Sequence, residues 1–345
     1  MRPKPGSRPV AFAVQGGLAV LAFPAILAGA LPAQALTINP IFDSSVTGLS
    51  NAATIEGAFR TAASAFQVDL SDPVTVNIGV SWGKVDGTAL PASAVGASVD
   101  PLYGYFSYAQ ISSFLQARAS TSADAVALRN LPLSPAAGTG SYVIPSAEAK
   151  ALGLIAPQAT YMDGYIGFAG STSGYTFNSA SGGVAGTYDF VSVARHELEE
   201  VLGRISGLES TTPGFATAFD LFRYSAPHAS SFSYTAPAYF SIDGGVTNLA
   251  NFNVSASGGD RGDWLTTATS TDVQDAFVSP GQSLSLSSAD LTALDVIGWR
   301  PAGALSPISR STVRLYDTAV PEPASLALLL TGLFGLAVRG PRRTG

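Results

Sequence analysis

Residues 189–205 constrain this chain more than any other stretch. Leu198, Val201, Leu202 and Ile205 recur at i, i+3, i+4 and i+7, the spacing that lines four side chains along one stripe of an α-helix. Asp189 supplies the N-cap, because an aspartate there accepts a backbone N–H from the first turn. His196 and Glu200 stand four apart and so project one turn apart from a face beside that stripe, with Glu197 one position further round. The helix therefore buries one side and offers an imidazole and carboxylates on its flank. His196 and His228 are the two histidines of the 345 residues, and cysteine is absent. Metal chemistry would rest on those imidazoles and on oxygen donors; thiol ligands and cysteine nucleophiles are excluded.

The two ends read as export signals. Arg2, Lys4 and Arg8 precede a mostly apolar run over residues 10–31 and then Pro32-Ala33-Gln34-Ala35. A basic start, an apolar stretch and small residues at the A-x-A positions predict a signal peptide cleaved after Ala35. At the other end, Val320-Pro321-Glu322-Pro323 leads into an apolar segment over 324–338 and then Arg339, Arg342 and Arg343. That segment is short against the roughly 20 residues of a spanning helix, and the arginines would hold its far side in the cytoplasm. The order Pro-Glu-Pro, short apolar helix, arginine cluster resembles the PEP-CTERM sorting signal. The resemblance implies recognition and removal by an exosortase, in a Gram-negative bacterium, of a chain anchored transiently in the inner membrane and delivered to the cell surface or extracellular matrix. Membrane contact is expected through this segment alone.

The expected organisation is a signal peptide at 1–35, one domain at 36–299, a linker at 300–320 and the sorting signal at 321–345. Residues 36 to about 70 could form an inhibitory prosegment, but they lack a cysteine to block a metal and are assigned to the fold. Without its ends the chain keeps 12 basic and 23 acidic residues, a net charge of −11, which disfavours nucleic acid and anionic lipid as partners. Since disulfides contribute nothing, an exported fold must be held by packing or bound ions. A charged content of 12% with 36 Gly and 22 Pro suggests a loop-rich secreted protein.

Periodicity places a helix over residues 52–66, a strand over 74–82, helices near 107–119 and 122–131, and a strand over 162–169. A Ser/Gly-rich loop over 170–186 runs into the motif helix. Beyond Gly207 short strands and loops are expected, among them Phe219-Asp220-Leu221-Phe222-Arg223-Tyr224, residues 238–242 with an Asp243-Gly244-Gly245 turn, and residues 258–264. A last helix spans about 288–297, with Ser288 as its cap.

In zincins, two ligands one helical turn apart bind the metal, and a glutamate next to the first acts as general base on the metal-activated water. By that pattern His196 and Glu200 are metal ligands and Glu197 is the base. Glu200 stands where H-E-x-x-H has its second histidine; Gly203 matches the glycine of the longer pattern, Ser206 replaces its third histidine, and no methionine follows to make a Met-turn. The run His196-Glu197-Leu198-Glu199-Glu200-Val201-Leu202-Gly203-Arg204, with Phe219-Asp220-Leu221-Phe222-Arg223-Tyr224 and Leu294-Asp295-Val296-Ile297-Gly298-Trp299, is similar to segments of a family of secreted zinc metalloproteases that carry PEP-CTERM tails. That similarity implies an α+β, metzincin-like catalytic domain with a mixed sheet, an active-site helix and a loop-rich C-terminal part, acting on polypeptide.

The third ligand is open between Asp220, which follows Glu200 by 20 residues in a motif-like segment, and His228 in a Pro-Ala-Ser loop; Glu209 and Asp243 are weaker candidates. Zinc is the expected ion, with Mn²⁺ or Fe²⁺ also suited to oxygen-rich ligation. Two carboxylates and one imidazole would neutralise a divalent cation, leave its water less acidified and slow turnover. The competing reading is a non-catalytic surface or biofilm-matrix protein on the same scaffold, in which Glu200 pairs with Arg204 at i, i+4 for about 0.3–0.5 kcal/mol. Arg261-Gly262-Asp263 reads as a turn in preference to an adhesion triplet, Asp260 and Asp263 lack a spaced calcium-loop pattern, and the sequon Asn253-Val254-Ser255 is uninformative behind a bacterial sorting tail.

Overall fold

The computed structural model describes residues 35–303 apart from 92, 133–140, 179, 181, 209–214 and 255–257. The signal peptide before Ala35 and the sorting signal lie outside those residues.

The chain enters on β1 (Thr37–Phe42), makes a short α1 (Ser44–Thr47) and continues as α2 (Ala52–Asp69) into β2 (Thr75–Trp82). A small hairpin, β3 (Lys84–Val85) and β4 (Thr88–Ala89), leads to β5 (Gly96–Val99) and β6 (Leu102–Phe106). Helices α3 (Tyr108–Arg118) and α4 (Ser122–Arg129) follow, then β7 (Tyr142–Pro145), α5 (Ser146–Ala151) and β8 (Gly164–Phe168). Two-residue strands β9 (Tyr175–Thr176) and β10 (Tyr188–Asp189) bracket the Gly-rich loop ahead of α6 (Phe190–Val201). The remainder is β11 (Arg223–Ala226), β12 (Ala229–Ser230), β13 (Tyr239–Phe240), β14 (Ala250–Asn251) and α7 (Ser288–Val296). The architecture is mixed α/β with several sheets, as expected in outline.

The main sheet runs β1-β2-β8-β5, its first three strands parallel and β5 antiparallel to β8 at the edge. Val76, Ile78 and Val80 point to one face of β2 and are buried with the core; Asn77 and Ser81 on the other face are buried too, the former donating to Ala159 O and Tyr161 O. Helices α2 and α6 pack on each other and on this sheet. Ile55, Phe59, Ala62, Ala63 and Phe66 form the buried stripe of α2, the spacing its sequence prescribes. Residues 37–42 occupy the sheet edge as β1, so the 36–70 segment is part of the fold.

Three local assignments differ from the sequence reading. Residues 219–222 wind into a 3₁₀ turn, and the strand begins only at Arg223. The cap of α7 is Ser287, whose hydroxyl accepts from Ala289 N and Asp290 N while the Asp290 carboxylate accepts from Ser287 N. That reciprocal capping box outcompetes Ser288. Residues 300–302 belong to the body: Ser71 N donates to Arg300 O, Arg300 N to Asp72 Oδ2, and Ala302 N to Asp69 O.

Candidate metal centre

Helix α6 carries the motif, and its N-terminus forms as the sequence predicts. Asp189 Oδ1 accepts from Val191 N, while its Oδ2 accepts from the hydroxyls of Ser192 and Ser283 at 2.8 Å. Leu198, Val201 and Leu202 are fully buried. The helix stops where Gly203 adopts a φ of +109°, a conformation that side chains resist. Beside it, edge strand β5 comes so close that a Cβ on Gly96 would collide with Val193 and with the Glu197 carboxylate. Glycine at 96 is what lets strand and helix share this wall.

His196 and Glu200 converge as their spacing requires, and the third group beside them is Asp263. His196 Nε2 lies 3.7 Å from Glu200 Oε1 and 3.8 Å from Asp263 Oδ1, and one ligand atom from each residue falls within 4.8 Å of the others. Tetrahedral ligation with bonds near 2.1 Å puts donors about 3.4 Å apart, so the two separations from His196 Nε2 exceed it by a few tenths of an ångström, while Glu200 and Asp263, within 4.8 Å of each other, have up to about 1.4 Å to close. Every donor is held from behind. His196 Nδ1 donates to Val273 O at 2.9 Å when it bears the proton, the tautomer in which Nε2 is the acceptor nitrogen. Glu200 Oε2 accepts from Ser98 Oγ at 2.7 Å, and Asp263 Oδ2 accepts from Asp260 N at 3.2 Å.

Asp263 Oδ1 is buried and accepts no hydrogen bond. A buried carboxylate oxygen without a donor is costly unless a cation faces it; the Arg204 guanidinium stands 4.0 Å from Asp263 Oδ1, beyond hydrogen-bond reach, and an ion between the three donors would face that oxygen more closely. Burial raises the Asp263 carboxyl above its usual range, with Glu200 adding like-charge repulsion and His196 and Arg204 opposing it. Asp100, buried nearby, is also raised, by burial first and then by the Glu200 charge.

Glu197 is 5% exposed and, with His196, lines a pocket of about 10 Å³ walled by Val95, Val193, Val273 and Leu284. That is room for about one water. Asp275 also lines it, its carboxyl pushed up to about 7 chiefly by burial.

Asp220, expected as the third ligand, lies apart from this cluster and is fully committed. Its Oδ1 accepts from Ser206 Oγ at 2.6 Å, and its Oδ2 from Gly207 N and Thr217 N at 2.8 Å each. It braces the chain that leaves α6. His228 sits exposed in the β11–β12 turn at a φ of +62°, beside Gly244. Asp243 ties its own loop through Ser241 and Thr247. Glu209 lies outside the described residues, as does Ser255 of the sequon. Arg204 does not pair with Glu200: its Nε is 3.3 Å from Glu199 Oε1, and its guanidinium stacks over Trp264 at 4.1 Å. Arg261, Gly262 and Asp263 are all buried, which removes the triplet from any adhesive surface. The signal for Asp263 was one of two aspartates in Gly-Asp-Arg-Gly-Asp-Trp, 63 residues past Glu200, where no spacing rule reaches.

Among the described residues no helix is long and apolar enough to cross a membrane; the apolar tail lies outside them. Residues 319–343 match the PEP-CTERM protein-sorting motif, which supports exosortase-dependent sorting and export of the chain. No curated protein and no solved structure matches it.

Proposed function

We propose that this is an exported metal-dependent hydrolase of zincin-like design, an endopeptidase in which His196, Glu200 and Asp263 hold the ion and Glu197 is the general base. The observation that carries the reading is the convergence of three donors on one point with Asp263 Oδ1 left without a hydrogen bond. Zn²⁺ fits the mixed nitrogen and oxygen set, and Mn²⁺ or Fe²⁺ also suit it. When bound, such an ion supplies Lewis acidity and makes water a stronger acid. Glu197, adjacent to His196 and facing the same pocket, takes the proton from the attacking water at its carboxylate and returns it to the leaving amine. The apolar walls from Val95, Val193 and Val273 exclude bulk water and strengthen the electrostatics of that transfer.

The test is metal content by mass spectrometry together with peptide hydrolysis, on the unmodified chain, His196→Ala and Glu197→Gln. One ion per chain is expected in the unmodified protein and in Glu197→Gln, with none in His196→Ala. Hydrolysis should fall by about 10²–10⁴-fold in Glu197→Gln, the usual contribution of a general base. An unmodified chain without metal would sink the proposal.

A second reading, a non-catalytic surface or matrix protein stapled by the same ion, is favoured by one observation. The pocket beside Glu197 admits about one water, so a peptide enters only if the rim moves. Stoichiometric metal without hydrolysis in any peptide library would select it.

A further inference from the structure

Gln274 is fully buried, and three of its bonds reach α6 and the 263–264 turn. Its Nε2 donates to His196 O at 3.0 Å, and its Oε1 accepts from Arg204 Nη1 at 2.5 Å. The amide orientation is fixed by chemistry, since a guanidinium can only donate and a carbonyl can only accept. Its main-chain carbonyl accepts from Trp264 N at 2.8 Å, the residue directly after Asp263. The carbonyl of its neighbour Val273 meets His196 Nδ1. A carbonyl inside a helix already accepts from the residue four positions on, so the bond from Gln274 uses a second lone pair and adds nothing the helix itself needs. What it adds is a tether between α6 and the 263–264 turn.

We infer that Gln274 is a positioning residue of the metal centre, locking the helix that carries His196 and Glu200 to the turn that carries Asp263. The inference rests on the metal reading above. The donors stand 3.7 and 3.8 Å from His196 Nε2 and must approach about 3.4 Å around an ion. A slip of α6 past the turn by a fraction of an ångström would decide whether three ligands or two engage. Arg204, held by the same amide, sits 4.0 Å from Asp263 Oδ1, so Gln274 also fixes the charge that faces this ligand from the far side. Glu199 and Asp290 face the same guanidinium and keep it within the protein interior.

The experiment uses the full chain in mild detergent with Co²⁺ as the probe, because its visible bands report coordination number and geometry. Gln274→Leu removes both side-chain bonds. Gln274→Glu keeps an acceptor for Arg204 and loses the donor to His196 O. Thr247→Ala, which removes a bond to Asp243 in the 243–247 loop, serves as a destabilised variant away from the centre. Both Gln274 variants should bind Co²⁺ about 10–100-fold more weakly, the usual loss for outer-shell partners, with shifted bands; Thr247→Ala should keep the wild-type affinity and spectrum. Should Gln274→Leu fail to fold, Gln274→Glu alone decides. Wild-type affinity and bands in Gln274→Glu would overturn the inference while leaving the metal site standing. An unmodified chain that takes up no Co²⁺ would overturn the metal reading and this inference together.

Discussion

Asp220 and Asp263 are both buried aspartates on the C-terminal side of α6, at 0% and 1% exposure, and they solve burial in opposite ways. Asp220 satisfies both oxygens with Ser206, Gly207 and Thr217, and its charge is spent on holding loops. Asp263 satisfies one oxygen and turns the other, without a hydrogen bond, toward His196 and Glu200. Burial and residue type are shared; the free lone pair is not. Oxygens of Asp100, Glu148, Glu199 and Asp295 also lack a hydrogen bond, and what sets Asp263 apart from them is an imidazole and a second carboxylate within 4.8 Å.

The largest effect that could break the comparison is on metal uptake. Asp263→Asn should weaken Zn²⁺ binding by more than about 100-fold, beyond outer-shell losses, as read by competition with a chromophoric chelator. It should leave the metal-free protein within about 1 kcal/mol of the unmodified one in urea, because it also removes repulsion with Glu200. Asp220→Ala should do the reverse. Stranding the donors of Ser206, Gly207 and Thr217 costs about 3 kcal/mol or more, while one ion per chain is still bound wherever the variant is folded. Metal loss in Asp220→Ala at full stability would invert the two roles.

A smaller effect follows from protons. Asp275 and Asp295 are each held up at about 7, mainly by burial, with the like charge of Asp124 contributing at Asp295. A carboxyl raised above its unfolded value near 3.9 binds more protons in the folded state, so its stabilisation is present below pH 4 and lost as pH climbs toward 7. The metal-free protein should therefore show a lower urea midpoint at pH 8 than at pH 5. With saturating Zn²⁺ that decline should shrink, since ligand deprotonation then favours binding. A midpoint that rises with pH in the metal-free form would contradict these environments. The smallest effect sharpens the geometry: Ser98→Ala removes the 2.7 Å bond to Glu200 Oε2, and should cost about 1 kcal/mol and loosen the ion about tenfold, the low end for a partner behind a ligand.

Most of what the sequence revealed was local. The cap at Asp189, the stripe of Leu198, Val201 and Leu202, and the apposition of His196 and Glu200 all follow from helical periodicity over a dozen residues. The same holds for the stripe of α2. Short elements were less legible: β5 is four residues with glycine at its start, too brief to show a period, yet it supplies Ser98 and the close wall at Gly96. The cap of α7 slipped by one residue because Ser287 and Ser288 are chemically alike and only the reciprocal bond from Asp290 separates them.

By itself, then, the sequence determined the motif helix, its imidazole and carboxylate pair, the strands within residues 74–82 and 162–169, and the sorting tail, read at 321–345 and matched over 319–343. Each depends on neighbours within a few residues, where covalent geometry fixes distance. Only the tertiary structure decided that Asp263 and not Asp220 faces His196, that Arg204 leaves Glu200 for Glu199 and Trp264, and that Gln274 ties the two walls together. Those pairings join residues tens of positions apart, and they are set by which buried groups can satisfy one another once the core has closed.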